Sequence, residues 1–283
     1  MREITEAILE VLRGGGRGAL ATVVRTGGSA PQEPGARLLL RPDGSLVGTI
    51  GGGAIEAHVI EALRECARSG KGELLSRDLA RDLGMCCGGR MEIFVEPIES
   101  VPRLLLFGAG HVAKPTAAIA RSIGFEVVVI DDREELNDEA RFPHCERVLA
   151  EPREAAAQLS PTERDFVLVI THDHRLDEEA LDTYARLPHA YLGMIGSVRK
   201  IVRILQRIEH KRGLPPLGRV HAPVGLDLGA VSPEEIAVSI AAELVALRHG
   251  KTDAMHLRCL DDPAIRRVMA TAADAAPADE DGR

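Results

Sequence analysis

The stretch FGAGHVAKPTAAIARSIGFEVVVIDDR, residues 107–133, decides the fold of the larger part of this chain. An apolar run leads into Gly-Ala-Gly, a helical segment follows, and a second apolar run ends in two aspartates, which is the order of a βαβ unit. In such a unit Gly108 permits the tight turn, Gly110 lets the backbone approach a pyrophosphate, and Ala113 allows close packing of helix on strand. His111 stands where the free N–H groups of the helix would face phosphates. The stretch predicts a nucleotide-binding type of parallel sheet.

Asp131 ends the second strand of this unit, about 20 residues beyond the glycines, where a carboxylate binds ribose hydroxyls in dinucleotide-binding proteins. Asp132 is the alternative for that role, because strand ends are uncertain by a residue or more. Nucleotide binding is the favoured interpretation of the motif. A Rossmann-like fold that serves only as a scaffold stays open as the alternative, because fold does not determine function.

Strands and helices continue to alternate beyond this unit. Strands are predicted at RVLA, DFVLVITHDH and AYLGMIGS, and the last of these leads into the basic helix VRKIVRILQRIEHKRG. Another helix starts at Ser232, with Pro233 in the first turn and Glu235 completing a capping box. The order predicts a doubly wound parallel sheet with helices on both faces.

Polar residues follow two of these strands. His172 and His174 would point to the same side of an extended chain, which suits a metal, but two ligands do not make a site. Lining of the crevice at the carboxyl ends of the strands is therefore favoured over zinc. Gly196 and Ser197 open the basic helix, with Lys200 one turn in; an anion site and an ordinary N-cap are equally good interpretations.

The first hundred residues follow a different pattern, that of a smaller α+β domain. An amphipathic helix comes first, and glycines at 14–16 end it. Short strands are predicted at ALATVVRT, ARLLLRPDG, SLVGTI and MEIFVEP, the last closed by Pro97. The prolines of PIESVP mark a boundary, so the predicted domains are 1–100, 101–258 and a C-terminal segment, 259–283, that ends in a disordered acidic tail.

Three glycine-rich loops in this smaller domain predict a ligand cradle. Consecutive glycines cost chain entropy unless bare backbone is needed, and bare amides bind anions. The first loop, GGSAPQEPGAR, offers Ser29, and the third, LGMCCGG, offers Cys86 and Cys87, whose pKa amide dipoles can lower. The second loop, GTIGGGAIE, contributes Gly51, Gly52, Gly53 and Glu56. Simple complementarity with the positive end of a helix is the alternative role for Glu56.

Charge and cysteine content exclude some classes of protein. The formal net charge is −8 over 283 residues, without a basic stripe, which argues against nucleic-acid binding. Five cysteines, three of them scattered singly, suggest no disulfide framework and a reducing compartment. The N-terminal REITEAILEVLRGGG has acidic residues within its apolar pattern, so neither a signal peptide nor a membrane span is expected. We expect a cytoplasmic protein.

Several of these motifs together resemble the xanthine dehydrogenase accessory protein family, the XdhC/CoxI-like proteins. The resemblance rests on GGSAPQEPGAR, GTIGGGAIE and LGMCCGG in the first domain, and on LLLFGAGHVAKP, VIDDR, THDH, YLGMIGS and PVGLDLGAVSPEEIAVSIAAELVALR in the second. Ala54 stands where some relatives have cysteine, and the double cysteine resembles the xanthine dehydrogenase branch. Gln32 replaces a basic residue of many relatives, which argues against a phosphate contact from that position.

The resemblance implies a function that spacing does not show. Members of the family bind the molybdenum cofactor, protect it during sulfuration by a cysteine desulfurase, and insert it into an apo xanthine dehydrogenase-type hydroxylase. It implies a chaperone rather than an enzyme, expected as a homodimer. The cofactor-binding residues would be Cys86 and Cys87, which could also be ligands of the molybdenum, and the glycine turn with Glu56. The Rossmann-like domain would bind NAD(P), another nucleotide or the nucleotide part of the cofactor.

A nicotinamide-dependent oxidoreductase is the rival interpretation. It takes the first domain as the substrate domain and the glycine motif with Asp131 as the NAD(P) site. His111 or His172 would then act as the general acid or base.

Overall fold

The computed structural model describes residues 2–14, 16–84 and 88–251. The chain divides into two compact units, one up to Val101 and one from Pro102 onward. The predicted acidic tail and Cys259 lie outside the described residues, as do Cys86 and Cys87. Within the described ranges no helix is both long and apolar enough to span a membrane.

The first unit is an α+β fold around one antiparallel sheet with the strand order β3-β2-β1-β5-β4. The helix α2 packs on one face of the sheet, against alternate residues of β1, β2 and β5, while α1 packs on the other face through Ile4, Ala7 and Val11. Its elements are α1 (Arg2–Arg13), β1 (Arg17–Gly27), β2 (Arg37–Leu40), β3 (Leu46–Gly48), α2 (Gly53–Ser69), β4 (Glu73–Asp78) and β5 (Arg90–Glu99).

The predicted end of β5 at Pro97 is wrong. The strand continues to Glu99, and Pro97 is paired with Ala19 of β1. β4 pairs with β5 only as far as Val95, so Pro97 lies where one side of β5 has no neighbouring strand. A proline is tolerated in a strand where no ladder hydrogen bond is lost.

The second unit is a six-stranded parallel sheet with the order β11-β10-β9-β6-β7-β8. Its two halves run outward from β6 and β9, as in the doubly wound dinucleotide-binding fold. Its elements are β6 (Arg103–Phe107), α3 (Ala113–Ser122), β7 (Glu126–Ile130), β8 (Glu146–Val148), α4 (Pro152–Leu159), β9 (Phe166–Val169), α5 (His174–Tyr184), β10 (Tyr191–Met194), α6 (Val198–Arg212), β11 (Val220–His221) and α7 (Pro233–Arg248).

Helices cover both faces of this sheet. Buried residues of α4, α5 and α6 form one core with the strands, and those of α3 and α7 form the other. Apart from the partly exposed edge strand β8, the strands are buried on both sides, which explains their continuous apolar runs. The predicted fold class, a Rossmann-like doubly wound sheet preceded by a smaller α+β domain, is confirmed.

Candidate functional site

The glycine-rich loops of the first unit meet at one end of its sheet. A Cβ added to Gly89 would lie 2.3 Å from the carbonyl oxygen of Ser29, and one added to Gly28 would lie 3.3 Å from the Cα of Gly89. A Cβ added to Gly51 would lie 2.7 Å from Cγ of Pro31, so the second loop contacts the first as well. We call the set of residues 28–35, 49–53, 88 and 89 the glycine cradle.

Glu56 holds the second loop of the cradle in shape. Its Oε2 accepts hydrogen bonds from the Thr49 hydroxyl at 2.5 Å and from the N–H groups of Ile50 and Gly52 at 3.1 and 3.2 Å. The bond from the Thr49 hydroxyl, with those two N–H groups, lowers the pKa of Glu56 against the opposing effect of burial. The carboxylate is therefore a positioning group for the loop, and in the first turn of α2 it also complements the positive end of that helix.

The start of α2 presents the backbone N–H groups that are not used by hydrogen bonds within the second loop. The N–H of Gly51 is used by the Thr49 hydroxyl oxygen at 3.1 Å, and that of Gly52 by Glu56. Among the residues that the structure describes, no side chain caps the N-terminus of α2 at Gly52, so the N–H groups of Gly53 and Ala54 are the ones that an anion in the cradle would meet. From the sequence alone, Gly51, Gly52 and Gly53 are equivalent candidates. In the structure they differ, because the N–H groups of Gly51 and Gly52 already have acceptors within the loop.

The ends of the cysteine loop are fixed against the cradle. The Leu79 N–H donates to the carbonyl of Gly89 at 2.8 Å, and Gly89 is buried against Ser29. The predicted ligands Cys86 and Cys87 lie between these described residues and remain predictions. Both described cysteines, Cys66 and Cys145, are buried free thiols whose pKa is raised by burial, so they do not share the predicted reactivity.

An arginine–histidine pair that joins β4 to α2 was not predicted from the sequence. The guanidinium of Arg77, in β4, donates to Nε2 of His58, one turn into α2, with Nε–Nε2 and Nη2–Nε2 distances of 3.1 and 2.8 Å. This geometry needs the imidazole to be an acceptor at Nε2. The two residues are 19 positions apart, and no spacing rule connects them.

In the second unit, Gly108 and Asp131 meet at the carboxyl ends of β6 and β7. A Cβ on Gly108, whose φ is +114°, would lie 2.3 Å from the carbonyl oxygen of Ile170, so the turn requires glycine. Asp131 Oδ2 accepts the Ala109 N–H at 2.7 Å, and its carboxylate is paired with the Arg133 guanidinium at 2.8 Å. Burial raises the pKa of Asp131, but these hydrogen bonds outweigh it and hold the pKa below its usual range.

These contacts determine which groups of the predicted nucleotide site are available to a ligand. Asp131 is 5% exposed and already has internal partners, whereas Asp132 is exposed. The cavity that reaches Gly108, Asp132 and His172 has a volume of about 10 Å³, which is room for about one water molecule. Within the described chain the N–H groups of Gly110 and His111 make no hydrogen bond and remain available to an anion. Nucleotide binding stays a prediction.

His172 and His174 are not two residues of one extended strand, which corrects the extended-chain geometry expected for them. α5 begins at His174, so strand alternation stops before it. His172 lines the crevice with Asp131 and Asp132, and one ligand atom from each of these three lies within 4.8 Å of the others. His174 lines a different groove along α6, and its Nδ1 is 3.8 Å from Asp177.

The predicted anion site at the start of α6 is partly occupied by protein groups. Ser197 is the N-cap and accepts the Lys200 N–H, as an ordinary cap does. The Lys200 ammonium lies 2.5 Å from a carboxylate oxygen of the buried Asp177 and donates to the carbonyl of Ile195 at 3.2 Å. Asp177 also accepts from Thr171, so this ion pair joins the loop after β9 to the loop after β10.

A buried network around Glu243 of α7 was also missed. Its carboxylate accepts the Tyr191 hydroxyl at 2.6 Å and the Gly225 N–H at 2.9 Å, and it lies 3.1 Å from Nδ1 of His221. Burial raises the pKa of Glu243, and the hydrogen bonds from His221, Tyr191 and Gly225 lower it by more. The network ties α7 to β10, to β11 and to the loop that follows β11. The sequence did contain a signal for this network. A glutamate stands within an otherwise apolar helix, and a buried charged side chain needs polar partners.

Two family models match the chain. Residues 104–244 match the XdhC Rossmann domain, and residues 11–78 match the XdhC and CoxI family. The chain belongs to the XdhC and CoxI family. The resemblance predicted from the sequence motifs is thereby confirmed.

Curated relatives of this XdhC and CoxI family member come from two bacteria. The chain is 39% identical over 238 residues to the Escherichia coli uncharacterized protein YqeB, an alignment covering 82% of this chain and 43% of that protein. It is 34% identical over 157 residues to a Bacillus subtilis protein named as a probable xanthine dehydrogenase subunit, covering 55% and 46%. The chain thus spans less than half the length of these two relatives.

Two more distant proteins match nearly end to end. The Escherichia coli molybdenum cofactor insertion chaperone PaoD is 22% identical over 302 residues, covering 87% of this chain and 88% of that protein. A crystal structure of a Bacillus halodurans protein described as a xanthine dehydrogenase superposes with a TM-score of 0.50 and 21% identity, covering 92% and 98%. The structural match supports the fold alone.

Proposed function

We propose that this chain is an accessory protein that binds the molybdenum cofactor and delivers it to a xanthine dehydrogenase-type hydroxylase. The observation that carries the proposal is the contact of the first glycine loop with the second at Gly51, beside the start of α2, and with Gly89 of the third. Family membership and the name of PaoD, a cofactor insertion chaperone, support it.

The residues fit an anionic cofactor as cargo. The N–H groups of Gly53 and Ala54 would meet the pterin phosphate, with the Ser29 hydroxyl of the first loop as a further donor. Glu56 would act indirectly, by holding the loop that presents Gly53. A thiolate of Cys86 or Cys87 would bind the molybdenum, for which soft sulfur is a suitable ligand. Holding the metal there would protect it while a cysteine desulfurase exchanges an oxo ligand for sulfur.

Pterin fluorescence tests the proposal. The protein is incubated with cofactor released from a molybdenum hydroxylase, separated from free cofactor, oxidised, and assayed for fluorescent pterin. We expect stoichiometric pterin with wild type and a loss of at least about tenfold with the Cys86→Ala, Cys87→Ala variant, because even the loss of an outer-shell partner of a metal ligand costs about 10–100-fold in affinity. A Cys66→Ala variant, which removes a buried thiol, is the control and should keep its pterin. Wild type without pterin, or equal retention by the double variant, would refute the assigned role.

The nicotinamide-dependent oxidoreductase is a second candidate, favoured by the strand order of the parallel sheet and by the available N–H groups of Gly110 and His111. The closed crevice and the internal partners of Asp131 weigh against it. Titration with NAD and NADP, followed by an assay for hydride transfer to carbonyl compounds, separates the two. Binding with turnover supports the oxidoreductase, and binding without turnover supports a nucleotide-binding chaperone.

A further inference from the structure

A groove of about 770 Å³ runs along the exposed side of α6 and reaches the start of α5. We call it the basic groove, because none of its described lining residues is acidic and five of them are cations. These are Arg199, Lys200, Arg203, Arg207 and Lys211. On a chain with a formal charge of −8, this concentration of positive charge on one helix is a local exception.

Four of the cations form a ladder. Arg199, Arg203, Arg207 and Lys211 follow each other at i,i+4, the spacing that places side chains on one ridge of a helix. The ridge extends over about 18 Å at about 1.5 Å per residue. Like charges at this spacing destabilise a helix. The ladder is therefore not explained by the stability of α6.

Two buried carboxylates of α5 hold cations of the basic groove in place, and one of the two, Glu178, contacts the ladder. Asp177 is paired with Lys200 at 2.5 Å, and Glu178 with Arg207 at 3.0 Å and Lys211 at 2.5 Å. Five cations against two carboxylates leave three positive charges. Within the described chain Arg199 and Arg203 have no ion-pair partner. Their charge is available to a binding partner.

We infer that the basic groove is the docking surface for an acidic segment of the hydroxylase that receives the cofactor. The identity of the partner rests on the proposed function, while the acidic character of its segment rests on the groove. An acidic segment fits better than a single phosphate, because the cations are strung along one ridge and do not converge on a point. The ladder is a basic stripe, contrary to the expectation from the sequence, but the chain around it carries a formal net charge of −8, which disfavours the long polyanion of a nucleic acid. Paired charges of this kind speed association and select the partner.

The charge-reversal variant Arg199→Glu, Arg203→Glu tests the inference. Its fold is expected to hold, because the carboxylate introduced at position 203 would face Arg207 at i,i+4 and replace a repulsion by an attraction. Affinity for the purified apo hydroxylase is measured by calorimetry at low and at near-physiological salt concentration. We expect the variant to bind at least about tenfold more weakly than wild type at the lower salt concentration, with a smaller dependence on salt. Its pterin content should equal that of wild type.

The matched control is Arg64→Glu, Arg153→Glu, which changes the net charge equally at two exposed sites outside the groove. It should bind the hydroxylase as wild type does. Equal affinity of all three proteins, an equal loss in the control, or no binding by wild type would overturn the inference. Pterin retention by wild type in any of these cases would leave the proposed cofactor binding standing.

A titration with ATP examines the alternative that the basic groove holds a compact phosphate ligand. ATP is the probe because its phosphates are concentrated on one short chain. We expect wild type and the charge-reversal variant to differ little in their affinity for ATP, since a ridge of cations offers no single point of convergence. A variant that loses ATP binding and keeps its affinity for the hydroxylase would overturn the inference.

Discussion

At the scale of single residues, Glu56 holds the second loop of the glycine cradle in its conformation. One carboxylate oxygen serves the Thr49 hydroxyl and two backbone N–H groups. Under the proposed function such a group would act on the ligand without contacting it, because it decides which amides remain free. We therefore predict a coupling between the stability of the first unit and the binding of the proposed anionic cofactor.

Glu56→Gln is expected to lower the free energy of unfolding by about 1–2 kcal/mol, because the amide oxygen replaces charge-assisted hydrogen bonds, worth about 1.5–3 kcal/mol, by weaker neutral ones. Pterin retention should fall as well, because the loop loses its fixed form. Urea denaturation and the pterin assay measure the two effects. The control is Glu61→Gln, on the exposed side of the same helix, which has no partner in the described chain. Equal effects of the two substitutions would contradict the role of Glu56.

The pKa of Glu56 adds a pH dependence with a definite sign. Because the pKa is lowered from its ordinary 4.5 in the folded state, the stabilisation is complete above the ordinary value. It disappears as the pH falls through the lower pKa of the folded state. The stability difference between wild type and Glu56→Gln should therefore be constant from about pH 7 to about pH 5.5 and shrink below that. A difference that grew on acidification would show that the carboxylate is not stabilised in the fold.

Among the elements, the meeting of the third loop with the first makes the sharpest prediction. Gly89→Ala would place a methyl group 2.3 Å from the carbonyl oxygen of Ser29, so one loop must move. We expect a loss of about 1–3 kcal/mol in unfolding free energy, the range for inserted methyl groups, together with weaker pterin binding.

Gly88→Ala is the matched control, because a Cβ at that position would have no atom of the described residues within 4 Å and its backbone φ is not in the left-handed region. Both variants are compared by urea denaturation. If the two adjacent substitutions had the same effect, the loops would not be in contact at Gly89.

A second element-scale prediction concerns α7. Glu243→Gln breaks the buried network with Tyr191 and His221 and should cost about 2–4 kcal/mol, since unpaired buried polar groups are expensive. Thermal unfolding of this variant, beside Glu234→Gln in the exposed first turn of α7, measures the cost. A similar melting temperature for both variants would show that the network contributes little.

The same elements show what the sequence could predict. The capping box of Ser232 and Glu235 is local, so its partners lie within a few residues and their spacing is diagnostic. The contact of Gly89 with Ser29 joins distant parts of the chain, and glycine content alone gives only the expectation of a cradle. The pair His172 and His174 was misjudged because α5 begins at His174, before strand alternation can carry both side chains to one face. The edge strand β4 was not predicted, because its sequence lacks a clear alternation of apolar and polar residues.

At the scale of the whole molecule, the two buried thiols report on the two units separately. Cys66 packs in the core of the first unit and is 2% exposed, and Cys145 packs in that of the second and is 8% exposed. Burial raises the pKa of each thiol, so both are protected from thiolate chemistry while their unit is folded. Each thiol becomes reactive only when its own core opens.

The variant Cys86→Ala, Cys87→Ala, Cys259→Ala retains only these two of the five cysteines. At about pH 8, near the ordinary pKa of a thiol, it should react with a thiol reagent much more slowly than the denatured chain, in which both thiols are accessible. Labelling at increasing urea concentration, with the modified peptides identified by mass spectrometry, then gives one unfolding curve for each unit. Coincident curves would mean that the units unfold together, and separate curves that each is stable alone. Fast labelling of Cys66 or Cys145 in the absence of urea would contradict their burial in the two cores.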